Sequence, residues 1–157
     1  MGTSSPLFFV FGWHHLVTWY ADNNIPEDWV VKPTDKGWTD NTTGLEWLMH
    51  FNKCTENCRI GQYCVLVLDG HRSHVTVEFN QYCKDHNIVP LCLPPHSSHY
   101  TQPLNAIVFR PLKQAYCNQM SWLSQCSITS ITKPDFFATF HTAFALAFTV
   151  QNIKSAF

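Results

Sequence analysis

Asp69 stands where the chain changes from an apolar run to a polar one. Residues 65–68 are all apolar, and Gly70 follows Asp69 at once. A short apolar run that ends at a turn signal is typical of a fully buried strand, usually a parallel one. A carboxylate at the carboxyl end of such a strand lies where open α/β sheets place their ligand crevice. Asp69 can instead start a turn or cap a helix, so its position alone leaves both interpretations open.

Four histidines follow as two His-x-x-His pairs. His71 and His74 come shortly after Asp69, and His96 and His99 follow the next apolar run. As metal ligands, paired imidazoles suit zinc or another borderline ion. The alternative is structural, with the imidazoles hydrogen-bonding the loop backbone around the crevice.

The residues after Asp69 predict a helix and then a second buried strand. Asn87 is suited to end the helix, and residues 88–93 form an apolar run that Pro94 stops. Strand, helix and strand joined by short links form a βαβ unit, which is parallel and right-handed by default. The polar loop after the second strand therefore meets both strand ends at one edge of the sheet. The apolar face of the helix comprises Val75, Phe79, Tyr82 and Cys83.

Three long motifs carry a resemblance to a known family. They are DGHRSH from Asp69, LPPHSSHYTQPLN from Leu93, and FRPLKQAY from Phe109. Together they resemble the DDE superfamily endonuclease domain of pogo, Tigger and jerky-type transposases, to which centromere protein B is also similar. The flanking sequences resemble that family as well, so the likeness extends over nearly the whole chain from about Pro6.

The resemblance implies an RNase H-like α/β fold with three metal-binding acids and Mg²⁺ or Mn²⁺ as the cofactor. Asp69 matches the second acid, and Asn105 stands where the family pattern Gln-Pro-Leu-Asp has the third. The first acid would lie on a strand before Pro6, where this sequence has only residues 1–5. We therefore expect an incomplete three-layer fold that lacks the first acid and the first two strands.

The side chains at the second and third acid positions determine which chemistry we expect. Two divalent ions about 4 Å apart promote phosphodiester cleavage in such sites, and they take carboxylate oxygens as ligands. Asp69 is the expected metal ligand, whereas Asn105 offers a carbonyl oxygen without charge. We therefore expect that the ions are not productively bound and that catalysis is lost. The residues expected to contact nucleic acid are His71, His74, His96, His99 and Lys113.

The expected function is that of a transposase-derived endonuclease domain that binds DNA weakly and without sequence preference, in the nucleus. Two alternatives stay open. The chain is part of an active metal-dependent transposase, or it is a domesticated interaction module that pairs through a sheet edge with a full-length relative or a second copy. No membrane partner is expected, because the apolar run at residues 7–11 is far shorter than the about 20 residues that cross a bilayer.

We expect one domain over residues 1–157, with an edge strand at residues 6–11, the βαβ motif at 64–105 and carboxyl-terminal helices at 106–157. If the first two strands are absent, the Asp69 strand has an open apolar edge at what should be the middle of the sheet. Either the strand at 6–11 pairs directly with the Asp69 strand, or the isolated chain folds poorly.

Three further helices are predicted. Thr43-x-x-Glu46 has the form of a capping box, and it starts a helix whose buried side chains are Leu45, Leu48 and Met49. A helix from about Phe109 to Leu123 is expected to direct Phe109, Leu112, Tyr116, Met120 and Leu123 inward. Pro134 suits the first turn of a last helix, since its missing N–H would be unpaired there. The aromatic face of that helix comprises Phe136, Phe137, Phe140, Phe144 and Phe148.

The composition limits the classes of protein to consider. The 157 residues carry a formal net charge of −1, and 13% are charged, against about 25% in a typical domain. No lysine and arginine cluster gives the footprint of an autonomous DNA binder or an import signal. The seven cysteines are expected to be mainly buried, reduced thiols. Cys54-x-x-x-Cys58 is half of a possible zinc site, but no second ligand pair stands at a usual spacing.

Overall fold

The computed structural model describes residues 7–12, 26, 28–69, 76–94, 102, 104–125 and 133–156. Its described elements fall into two compact units. We call residues 7–12 and 28–94 the strand unit, and residues 102–156 the helical unit. The architecture is mixed α/β, with two small parallel sheets in the strand unit.

The first sheet joins two short strands, β1 (Phe8–Gly12) and β2 (Val30–Thr34). They run parallel, with Phe8 opposite Val30, and the Val30 N–H donates to the Leu7 carbonyl at 2.9 Å. The alternative in which the strand at residues 6–11 pairs directly with the Asp69 strand is therefore wrong. β2 lies in a stretch where the sequence predicts no strand.

The second sheet contains the βαβ unit. β3 (Cys64–Leu68) and β4 (Ile88–Cys92) are parallel neighbours, and α2 (Val77–Asp85) connects them. Thr76 starts α2 by accepting a hydrogen bond from the Phe79 N–H at 3.2 Å. Asn87, with φ of 55°, follows the end of the helix in the left-handed conformation that asparagine tolerates better than most residues.

The two faces of the β3–β4 sheet differ in exposure. Leu66, Leu68 and Ile88 point into a core that they share with Leu48, Phe79 and Cys83. On the opposite face, Val65 lies beside Val89, and Val67 lies beside Leu91. All four of these apolar side chains are exposed. Among the described residues, β3 pairs with β4 alone.

The helix that supports this core is α1 (Asn41–Thr55), and it begins three residues earlier than the capping-box pattern predicts. Asp40 is the capping residue, since its carboxylate accepts from the Thr43 N–H at 2.7 Å. Thr43 lies inside the helix and is buried, so the predicted Thr43-x-x-Glu46 capping box is wrong. Leu48 is buried as expected, but Met49 is 44% exposed.

Replacing Asp40 with alanine is expected to lower the free energy of unfolding by about 1 kcal/mol at neutral pH, because α1 loses its cap. The hydrogen bond from the Thr43 backbone, aided by the Thr43 side chain, holds the pKa of the Asp40 carboxyl below its usual value. A carboxyl with a lowered pKa stabilises the fold above its unfolded-state pKa, and this contribution is lost as the pH falls through the folded-state pKa. The difference between native chain and variant should therefore shrink below about pH 4. Urea titration of both proteins at several pH values measures this difference in the free energy of unfolding.

The matched variant for this test is Asp40→Asn. Asparagine caps a helix about as well as aspartate but carries no ionisable group. Asp40→Asn should therefore retain most of the stability at pH 7 and lose less of it in acid than the native chain does. Equal acid sensitivity of the native chain and Asp40→Asn would show that the Asp40 carboxyl does not contribute in this way.

The helical unit begins with a π-helical turn at Leu104–Val108, which continues into α3 (Phe109–Gln125). α3 packs against α4 (Lys133–Ala147), and α5 (Val150–Ala156) packs against the π-helical turn. The predicted last helix is therefore two helices, because the helical run is interrupted at residues 148–149. The buried apolar residues of this unit are Val108, Phe137, Ala143, Phe144 and Ala147.

The predicted aromatic face of α4 is present. Successive rings lie 5.4 Å apart at Phe136 and Phe140, 6.1 Å at Phe140 and Phe144, and 4.1 Å at Phe144 and Phe148. On α3 the prediction that Phe109 points inward is wrong, because its side chain is 42% exposed. No helix within the described ranges combines the length and hydropathy that a bilayer crossing requires.

Candidate functional site

Asp69 directly follows the last residue of β3 and is half-buried. The Leu93 N–H donates to the Leu68 carbonyl at 2.8 Å, so β4 extends along β3 as far as the residue before Asp69. The carboxyl ends of two parallel strands therefore coincide beside this carboxylate. This is the edge of a sheet where α/β proteins bind their ligands.

The four histidines predicted at the same edge lie outside the described residues. His71 and His74 belong to residues 70–75, and His96 and His99 belong to residues 95–101. Both segments lie outside the described residues. Their proposed contacts with nucleic acid therefore stay predictions from the sequence.

Asn105 lies in the helical unit, on the π-helical turn that precedes α3. Its side chain is exposed, and its Nδ2 donates to the Gln102 Oε1 at 2.6 Å. Short π-helical segments occur frequently at functional sites. Lys113 lies two helical turns further on, is also exposed, and follows Arg110 by three residues. α3 thus places two cations on one helical face shortly after Asn105.

Neither Asp69 nor Asn105 alone offers the ligands that a pair of divalent ions requires. Magnesium takes oxygen ligands, chiefly carboxylates and water. Asp69 supplies one carboxylate, while Asn105 supplies a neutral carboxamide whose nitrogen already donates to Gln102. Within residues 7–12, 28–69, 76–94, 104–125 and 133–156, no three histidine, cysteine, aspartate or glutamate side chains are grouped so that they can hold a metal ion.

Cys54, which belongs to the possible half of a zinc site, lies beside an imidazole on the same helix. Its sulfur is 3.8 Å from the Nε2 of His50, one turn earlier on α1. Burial, with a smaller effect of the Asp28 charge, raises the pKa of the Cys54 thiol. A thiolate is the form that attacks electrophiles and binds metals, so this pair does not resemble an activated nucleophile. The expectation that the cysteines are mainly buried is wrong for Cys58, Cys92 and Cys117, which are exposed. Cys83 is buried, as expected.

A polar network that the sequence did not indicate joins the ends of α1 and α2. Asn52 on α1 is 7% exposed and accepts from the Arg59 guanidinium through its Oδ1. Its Nδ2 lies 3.3 Å from both the Tyr82 hydroxyl and the His86 Nδ1. Arg59 also donates to the His86 carbonyl at 2.9 Å. A charged side chain in a turn gives no periodic signal, so sequence patterns cannot identify such a partner.

These elements define a mixed α/β protein with an acid at the carboxyl edge of a parallel unit, which is consistent with a nuclease of the DDE type. The sequence matches the DDE superfamily endonuclease family over residues 8–157, and the chain belongs to that family. Members of this family generally use divalent metal ions. The finer likeness to pogo and Tigger elements, and the RNase H-like form of the fold, stay predictions from the motifs.

A much longer fungal protein contains a similar segment. The "MFS-type transporter clz9" of Cochliobolus lunatus is 44% identical to this chain over 153 residues. The match covers 98% of this chain but only 16% of that protein. The similarity therefore concerns one segment of the relative. No solved structure matched this chain.

Proposed function

We propose that this chain is a transposase-derived DDE endonuclease domain that binds DNA and no longer cleaves it. The observation that carries the proposal is Asn105, a neutral residue at the position where the family motif has its third acid. Asp69 still occupies the position of the second acid, at the end of β3. Family membership supports the nuclease ancestry, and the change at residue 105 supports the loss of activity.

The physical reason for the expected loss is electrostatic. At an effective dielectric constant near 20, a unit charge about 4 Å away attracts each unit of positive charge by roughly 4 kcal/mol, before hydration is considered. A carboxamide in place of a carboxylate removes that attraction. Two dications repel each other strongly, and several carboxylates are needed to offset their charge and keep their spacing.

The proposed partner is DNA, bound weakly and without sequence preference. The formal net charge of −1 gives little overall attraction to phosphates, so the contacts must come from local cations such as Lys113. The four loop histidines belong to the same proposed contact set: His71, His74, His96 and His99. A DNA partner and the transposase resemblance both favour a nuclear location.

Membrane transport is not part of this proposal. The transporter name describes the whole relative, of which the matched segment is 16%. That segment corresponds to nearly all of this chain, which belongs to the DDE superfamily endonuclease family.

The purified chain is expected to leave supercoiled plasmid DNA intact in Mg²⁺ or Mn²⁺. Asn105→Asp alone should not restore nicking, because Asp69 and a carboxylate at residue 105 together offset only two of the four positive charges of two dications. Gel electrophoresis of the plasmid after incubation measures nicked and linear products. DNA binding by the same samples, measured in a mobility shift, keeps the two parts of the proposal separate.

Asp69→Ala is the control for contaminating nucleases. Nicking by the native chain that disappears in Asp69→Ala would contradict the proposed inactivity and would support an active metal-dependent endonuclease. Nicking that persists in Asp69→Ala would come from another enzyme in the preparation. Failure to bind any DNA at low salt would contradict the binding part of the proposal.

A further inference from the structure

A surface groove lies between α3 and α4 in the helical unit. We call it the α3–α4 groove; it has a volume of about 310 Å³. Its size is at the lower end of the range of about 300–1,000 Å³ that ligand pockets occupy. Its lining consists of Phe109, Leu112, Lys113, Tyr116, Phe136 and Phe140.

Aromatic rings form much of the wall of the groove. The Tyr116 ring lies 5.8 Å from Phe136, tilted by 58°, and Phe136 is stacked on Phe140 at 5.4 Å. Phe109 stands at the rim and is 42% exposed. Burial raises the pKa of the Tyr116 phenol, with a smaller effect from Cys117, so its hydroxyl stays neutral and can form hydrogen bonds. Flat apolar surfaces with one polar group suit a flat, partly polar ring.

Cations border the same groove. A second surface depression, of about 340 Å³, shares Phe109 and Lys113 with the groove and adds Arg110 and Gln114 to its lining. Arg110 and Lys113 are three residues apart, so they lie on one face of α3. α3 contains no aspartate or glutamate.

The distribution of charge along the chain strengthens this observation. Residues 1–101 contain ten acids and six lysines and arginines, whereas residues 102–157 contain four cations and a single acid, Asp135. The net charge of the chain is therefore small because an acidic part and a basic part offset each other. Such asymmetry is typical of proteins that bind a polyanion through one region.

We propose that the α3–α4 groove binds an unpaired stretch of DNA, with phosphates on Arg110 and Lys113 and a base against the rings of Phe109, Tyr116 and Phe136. This inference rests on the proposed function and assigns a surface to it. Aromatic side chains beside cations bind single strands because every unpaired base has an exposed face. Bases within a duplex are stacked on their neighbours and cannot enter such a groove. An acidic peptide would satisfy the cations but leave the aromatic wall without a flat partner.

The test measures binding of a fluorescein-labelled oligothymidylate to the full chain by fluorescence anisotropy. Phe109→Ala should weaken binding about 5- to 150-fold through loss of base stacking. Arg110→Gln with Lys113→Gln should weaken it about tenfold or more and lower the slope of log K against log salt by about 1.4. The matched control is Lys154→Gln, an exposed cation on α5 outside the groove, which should change affinity less than twofold.

The outcomes separate this inference from the proposed function. If the native chain and the groove variants bind single strands equally well, the α3–α4 groove is not the binding site. The proposed DNA-binding function is then still supported. A hairpin duplex that binds as tightly as the oligothymidylate, with no effect of Phe109→Ala, would overturn the assignment of an unpaired base. Equal competition by polyglutamate would overturn the choice of nucleic acid. Thermal melting of each variant followed by circular dichroism distinguishes lost contacts from lost folding.

Discussion

Phe79→Ala should lower the free energy of unfolding by about 3–5 kcal/mol, the range for removing a large aromatic side chain from a core. Phe79 is fully buried on α2, where it belongs to a cluster with Leu48 of α1 and with Leu66 and Leu68 of β3. α2 holds its place on β3 and β4 largely through this side chain and Cys83. A domain of typical stability, about 5–15 kcal/mol, would lose a large share of it.

This loss also affects the candidate site. β3 ends immediately before Asp69, and its buried side chains are the ones that Phe79 covers. Urea unfolding followed by circular dichroism measures the change in midpoint. The matched control is Val77→Ala on the same helix, because Val77 is 80% exposed; we expect an effect within about 0.5 kcal/mol. A loss below 1 kcal/mol for Phe79→Ala would contradict the core assignment.

The strand–helix–strand unit could be predicted from sequence because its signals are local. Apolar runs of four to six residues indicate strands, and the spacing of Phe79 and Cys83 indicates one buried helical face. The prediction that both strands are fully buried is wrong, because one face of the β3–β4 sheet is exposed. Asn87 marks the end of that helix through its own backbone preference. Each of these features depends on neighbouring residues, so no knowledge of the rest of the fold is needed.

β2 is a strand that local sequence patterns do not predict. Its sequence, Val-Val-Lys-Pro-Thr, combines a charged residue with a proline, so it contains no apolar run long enough to predict a strand. Among the described residues β2 pairs with β1 alone, and proline is tolerated on such an edge strand. The pairing joins residues more than twenty positions apart. Only the tertiary arrangement determines which neighbour such a short strand finds.

The start of α1 shows a different limit, because two capping signals compete. Asp40 and Thr43 are both good capping residues, and Glu46 has the spacing that would complete a capping box with Thr43. In the structure Asp40 is the capping residue and Thr43 is buried. Burial, which the capping rule ignores, therefore selects between the two starts. The candidate functional residues show the same limit of sequence-based prediction. Asp69 and Asn105 can be predicted from sequence motifs, whereas the α3–α4 groove depends on how two helices pack.

Asn52→Leu is expected to lower the free energy of unfolding by about 2–3 kcal/mol, although leucine has a similar size. Arg59 can only donate hydrogen bonds, so the Asn52 atom that faces it must be Oδ1. Nδ2 then faces the Tyr82 hydroxyl and the His86 Nδ1, each at 3.3 Å. The His86 Nδ1 is therefore the acceptor, and the ring carries its proton on Nε2. One carboxamide satisfies three partners from two further segments of the chain.

Removing the carboxamide takes one hydrogen-bond partner from each of these groups, and an unpaired, partly buried polar group costs about 1–3 kcal/mol. Arg59→Met removes the guanidinium as well, so the double variant should lose less stability than the sum of the two single variants, by about 0.5–3 kcal/mol. Asn57→Leu is the matched control, because Asn57 is exposed in the turn that follows α1. It should change stability by no more than about 0.5 kcal/mol. Strict additivity of Asn52→Leu and Arg59→Met in urea unfolding would mean that the two side chains do not stabilise each other, and that α1 and α2 are joined by their apolar core alone.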